Sequence, residues 1–131
     1  MKRILSVALL GLLVSPIGCN PFAPDQSVEL SVSKLDAPAS IASGSSFAVV
    51  LTVVLGGCLS FDRIDVARSE TAANFTVWGK DASKGRKDIM CPDNIFEEPH
   101  TYQLNPPFTN PFQITVNRGR LSPLTATVQV P

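Results

Sequence analysis

"FAVVLTVVL", Phe47 to Leu55, is the stretch on which the fold of this chain turns. Apart from Thr52 it is apolar on both faces of an extended backbone, and β-branched residues dominate it. That composition predicts a central strand covered on both sides. Turn-forming residues bracket it, Ser43-Gly44-Ser45-Ser46 before and Gly56-Gly57 after.

Outward from this stretch the residues alternate. "VELSV" sets Val28, Leu30 and Val32 against Glu29 and Ser31. "FQITVN" sets Phe112, Ile114 and Val116 against Gln113, Thr115 and Asn117. "LTATVQV" sets Leu124, Ala126, Val128 and Val130 against Thr125, Thr127 and Gln129. A period of two gives each strand one buried and one wet face. Weaker strands are expected at Phe61 to Val66, Asn74 to Trp78 and His100 to Leu104. Lys84-Gly85, Asn105-Pro106-Pro107 and Gly119 punctuate them, and Pro107-Phe108 and Pro111-Phe112 mark turns entering strands. With no useful 3.6-residue period in this region, seven short strands imply an all-β fold, an antiparallel β-sandwich.

The N-terminus reads differently. Lys2 and Arg3 precede an apolar run of eleven residues, Ile4 to Val14, and Ser15, Pro16 and Gly18 follow it. This is the layout of a secretory signal. A bilayer-spanning helix needs roughly 20 apolar residues, and a helix of this length rises only about 16 Å. An ordinary cleavage site is poorly represented, because Asn20-Pro21-Phe22-Ala23 is crowded by prolines.

Pro16-Ile17-Gly18-Cys19 instead resembles the lipobox of bacterial lipoproteins, with Pro16 where that family usually has an aliphatic residue. The resemblance implies cleavage before Cys19 and a diacylglyceryl group on its sulfur. It places the protein in the bacterial cell envelope, anchored to a membrane through lipid. Asn20 stands where some bacteria use aspartate to mark inner-membrane retention, which favours the outer membrane. Two or more acyl chains hold a protein stably where one does not. The chain thus divides into a lipoprotein signal peptide, 1–18, a lipidated tether, 19–27, and a folded domain, 28–131.

An exported chain meets an oxidising compartment, where thiols pair. With Cys19 given to lipid, Cys58 and Cys91 form an even set, expected as one disulfide across 33 residues. The rivals are two buried thiols, or a zinc site completed by His100, which lacks a close-spaced ligand pair. Without Lys2 and Arg3 the chain carries nine basic against eleven acidic side chains. That balance lacks the basic excess of a nucleic-acid binder, so no nucleic-acid partner is expected.

A second resemblance runs from about Ala37 to Gly119. "APASIASGSSFAVVLTVVLGGC", then "FTVWG", "MCP", "HTYQL" and "NPFQITVNRG", looks like immunoglobulin-like domains of bacterial envelope lipoproteins. It implies an immunoglobulin-like sandwich with no assigned activity. Trp78 would then pack over the disulfide, as in immunoglobulin cores, or serve as an ordinary core or edge aromatic.

Catalytic chemistry finds little purchase. His100 follows Glu97, Glu98 and Pro99 without a nucleophile elbow, so no catalytic residue is assigned. Met90, Cys91 and His100 invite a copper reading, weakened if Cys91 is oxidised, and no metal or cofactor is assigned. Asp62 with Asp65, and Glu97 with Glu98, lack the distinct environments of an acid–base pair and the spacing of a calcium loop. "DASKGRKD", with Lys80, Lys84, Arg86 and Lys87 against Asp81 and Asp88, reads as a solvated hairpin loop or a contact for anionic headgroups or glycans. The resulting expectation is a non-enzymatic interaction or structural module whose partner is another envelope protein. The alternatives are a small-ligand or metal binder using Met90 and His100, or a protease-inhibitor module presenting Asp93 to Pro99.

Overall fold

The computed structural model describes residues 26–131, so the apolar run, Cys19 and most of the tether lie outside the described residues. The described chain forms eight strands and no helix: β1 (Ser27–Glu29), β2 (Val32–Asp36), β3 (Phe47–Gly56), β4 (Leu59–Arg68), β5 (Ala72–Asp81), β6 (Ile95–Leu104), β7 (Phe112–Arg118) and β8 (Leu121–Val128). They make a three-stranded sheet, β2-β3-β6, and a five-stranded sheet. In the larger sheet β4 pairs with one edge of β5, while β1 and β7 share the other edge and β8 closes on β7.

The eighth strand comes from dividing "VELSV". Leu30 N–H donates to Val77 O in the larger sheet at 2.8 Å, and Ser31 O accepts from Val54 N–H in the smaller sheet at 2.9 Å. Val28, Leu30 and Val32 still point inward, as their alternation requires. The expected antiparallel arrangement needs one correction, because β5 and β7 run parallel. The chain between them crosses to the other sheet as β6 and returns, the kind of long connection that a parallel pair demands. β6 starts five residues earlier than its alternation suggests, because all ten of its residues pair with β3.

β3 is central, yet it is covered on one face only. Val49, Leu51, Val53 and Leu55 are buried, whereas Ala48 is exposed and Val50, Thr52 and Val54 are half-buried. Cross-strand neighbours such as Thr101 and Glu97 flank that outward side. Its β-branched outward residues therefore reflect pleated-strand packing and not a second covering layer.

The core lies between the sheets. β3 meets Phe75 and Val77 from β5, Phe112, Ile114 and Val116 from β7, and Val128 from β8, all buried. Phe75 sits edge-on to Tyr102 of β6, ring centroids 5.4 Å apart, which ties the sheets together near their middle. Fully burying a side chain of this size contributes roughly 1.5–3 kcal/mol. Gly79 belongs to the same packing: a Cβ there would collide with Ser60 O and the Leu30 side chain, so Leu30 occupies the space that glycine leaves.

Among the described residues the longer free edges, at β2, β4, β6 and β8, are each interrupted. β2 and β4 carry register shifts at Val32/Lys34 and Phe61/Arg63, and β6 and β8 carry Pro99 and Pro123. Beyond β8, Gln129 is bracketed by Ala39 and Ile41, which exchange backbone hydrogen bonds with it at 2.9 Å each.

One-sided cover of β3 predicts unequal costs for truncation. Phe75→Ala should lose about 3–5 kcal/mol in urea unfolding, whereas Val50→Ala should lose about 1 kcal/mol or less. Comparable losses would mean that the outward face of β3 is packed.

Candidate functional site

Cys58 and Cys91 are joined by a disulfide with Cα atoms 5.1 Å apart. Cys58 is in the Gly57-Cys58 turn from β3 to β4, and Cys91 lies in the 82–94 crossover from β5 to β6. Both connections carry the chain between sheets at the same end of the molecule. Gly57 takes φ +61°, and a Cβ on Gly56 would strike the Asn94 carbonyl, so turn and crossover lie backbone against backbone. Gly57 N–H donates to Asn94 O at 3.1 Å and Ala82 N–H to Cys58 O at 3.0 Å. Beside the disulfide opens an apolar cavity of about 370 Å³, lined by Val54, Leu55, Leu59, Pro92 and Ile95 among others.

The crossover is "DASKGRKD" and its continuation, and it is no hairpin, since β5 and β6 belong to different sheets. Asp81 starts it with a tight turn. The Ser83 hydroxyl and amide donate to Asp81 Oδ1 at 2.5 Å and 2.9 Å. Those hydrogen bonds to the ionised form hold the carboxyl below its ordinary value of 3.8. Lys84 Nζ donates to Ser27 O at 2.8 Å, pinning the crossover to β1.

The copper set is not brought together. Met90 is 94 % exposed at the rim, and Cys91 is in the disulfide. His100 lies five residues along β6 from Ile95, about 16 Å at strand rise. Its ring stacks on Phe61, centroids 3.7 Å apart, where β4 and β6 meet at the open side of the sandwich. Its Nε2 lies 2.8 Å from Glu98 Oε1, without hydrogen-bond geometry.

The carboxylates fall equally apart. Asp62 and Asp65 both pair with Arg63, at 2.8 Å and 3.2 Å. Glu97 faces outward and Glu98 inward, by strand alternation. Among the described residues no group of three His, Cys, Asp or Glu side chains could hold a metal ion. Trp78 lies on the outward face of β5, with the Arg63 guanidinium 5.5 Å above its ring, so the packing over the disulfide does not occur. The Asp93 to Pro99 segment is mostly strand, since β6 begins at Ile95.

Sequence reasoning missed Arg68. At the end of β4 its Nη2 donates to Asn105 O and Pro107 O, each at 2.8 Å. Its guanidinium carbon lies 4.6 Å and 4.7 Å from the ring centroids of Phe108 and Phe112. This clamp shapes the β6–β7 connection and borders a second concavity of about 310 Å³ with Glu70 and Pro106. No spacing announces it; the signal is a lone arginine at a strand end and aromatics behind a proline pair.

Comparison with known proteins finds no family model, no curated protein and no solved structure that matches this chain.

Two outcomes are expected. Reducing the disulfide, or replacing both cysteines by serine, should lower unfolding free energy by about 3–4 kcal/mol through release of the closed loop in the unfolded chain. Asp81, with its folded pKa lowered, contributes stability that is full above 3.8 and lost as pH falls through the folded value. Ser83→Ala should raise the Asp81 pKa in an NMR titration, and an unchanged titration would disprove the turn's role.

Proposed function

We propose that this chain is a lipid-anchored protein of the bacterial cell envelope whose immunoglobulin-like β-sandwich acts as a non-enzymatic interaction or structural module. The observation that carries this is the allocation of sulfur. Cys58 and Cys91 are bonded to each other, which leaves Cys19, at the exit of the apolar run, as the remaining thiol. An odd cysteine in an exported chain calls for a separate use, and the lipobox resemblance supplies one.

The immunoglobulin-like assignment is supported by strand order. β2-β3-β6 follows the A-B-E order of such domains, and β7-β8 follows F-G. β5 between β4 and β7 departs from that pattern, and the disulfide joins two inter-sheet connections at the rim. A partner would meet loops or a sheet face more readily than the long edges at β2, β4, β6 and β8, since each of these is interrupted. A second reading, small-ligand binding, draws on the apolar cavity beside the disulfide. It predicts a rise in unfolding temperature with a small apolar probe such as a naphthalene sulfonate, lost in Leu59→Asp.

The anchor is tested in native membranes washed with molar salt. The parent chain should stay in the pellet and Cys19→Ser should leave it, with intact mass reporting lipid on an N-terminal Cys19. A Cys19→Ser chain retained as well as the parent would sink the proposal.

A further inference from the structure

We infer that the disulfide-bearing end of the sandwich is itself a docking surface for an anionic lipid bilayer. The strand registers place at one end the start of β1, the β3–β4 turn, the 82–94 crossover, the start of β6 and the β7–β8 turn. The large apolar side chains left exposed among the described residues are Met90, Ile95, Phe96 and Leu121, at 94 %, 79 %, 46 % and 57 %. All four belong to this end. Monomeric proteins seldom gather their exposed apolar residues in one region without a use for it.

The basic side chains concentrate at this end too, on its loops. Lys80, Lys84, Arg86, Lys87, Arg118 and Arg120 lie in or beside the crossover and the β7–β8 turn, against Asp81, Asp88 and Asp93. Arg63, Glu29, Asp62 and Glu97 stand just below them, at the depth of Arg118 and Phe96 by strand register, and farther from the rim Lys34 and Arg68 stand against Asp36, Asp65, Glu70 and Glu98. Glu29, just below the rim, accepts from Gly119 N–H at 2.8 Å, and Asp62 is paired with Arg63. Each Lys or Arg near an anionic leaflet contributes about 1 kcal/mol, and apolar side chains between them enter the headgroup boundary.

Chain continuity points to the same occupant. The described chain begins at Gln26, whose carbonyl accepts from Asp81 N–H at 2.9 Å, so it enters at this end. Cys19 is seven residues earlier, a reach of at most about 25 Å, while a ten-residue strand spans about 33 Å. A lipid on Cys19 therefore brings this rim, and not the opposite one, to the bilayer. That orientation rests on the anchor proposed above; charge and apolar exposure do not.

The test uses vesicles of phosphatidylcholine with and without phosphatidylglycerol. Residues from 19 onward with Cys19→Ser, which retain the whole described core, should co-sediment with the anionic vesicles at low salt and not with the neutral ones. Lys84→Glu with Arg86→Glu and Lys87→Glu should reduce the bound fraction about tenfold or more, and Met90→Ser with Leu121→Ser should reduce it while leaving the fold intact by circular dichroism. In the lipidated full chain, Met90→Trp on a Trp78→Phe background should be quenched by brominated phosphatidylglycerol. Binding by the unlipidated chain upholds the inference even if Cys19 proves unmodified. An unquenched Trp on anchored protein, equal binding to both vesicles, or retention by an acidic protein but not by vesicles would each overturn it.

Discussion

A single peptide step, Leu30 to Ser31, couples the two sheets of this molecule. Leu30 hydrogen-bonds into one sheet and Ser31 into the other, while the Leu30 side chain fills the space beside Gly79. Two sheets with one apolar face each have a strong reason to stack, but stacking alone leaves them free to slide. A strand shared between them fixes their offset. The inward side chains of β3 meet those of β5 and β7 across that interface.

Much of this architecture was legible in the residues, and the reason is periodicity. Phe112, Ile114, Val116 and Val128 are buried where their alternation puts them. The disulfide followed from cysteine parity once Cys19 was set aside. What escaped was pairing. A period of two assigns faces but says nothing about neighbours, so the parallel β5–β7 contact and the division of "VELSV" left no local trace. Trp78 is a different case, because its alternation was legible. The immunoglobulin resemblance offered packing over the disulfide beside an ordinary core or edge position, and the alternation through Phe75 and Val77 sends Trp78 outward to Arg63. His100 and Met90 looked like co-ligands in one dimension and are held apart by an extended strand.

The candidate site is a product of connections more than of strands. The strands spend their apolar residues inward and leave modest outward faces, on which ion pairs such as Lys34–Asp36 are exposed and energetically slight. The rim differs. There the chain changes sheets twice within reach of one disulfide, and the backbones approach too closely for side chains to cover them. Phe96, on the inward face of β6, and Ile95, on its outward face, are left largely exposed to water at this end. The stapled end has uncovered apolar surface, whereas at the opposite end Arg68 lies over Phe108 and Phe112.

The broken edges carry a consequence for copies of this protein held side by side. Copies at high local concentration meet often, and an unbroken strand margin would then seed fibrils. Pro99 and Pro123 each withhold a donor, and the bulges at β2 and β4 spoil the flat template that a growing stack requires. The long margins of both sheets thus work against edge-to-edge polymerisation.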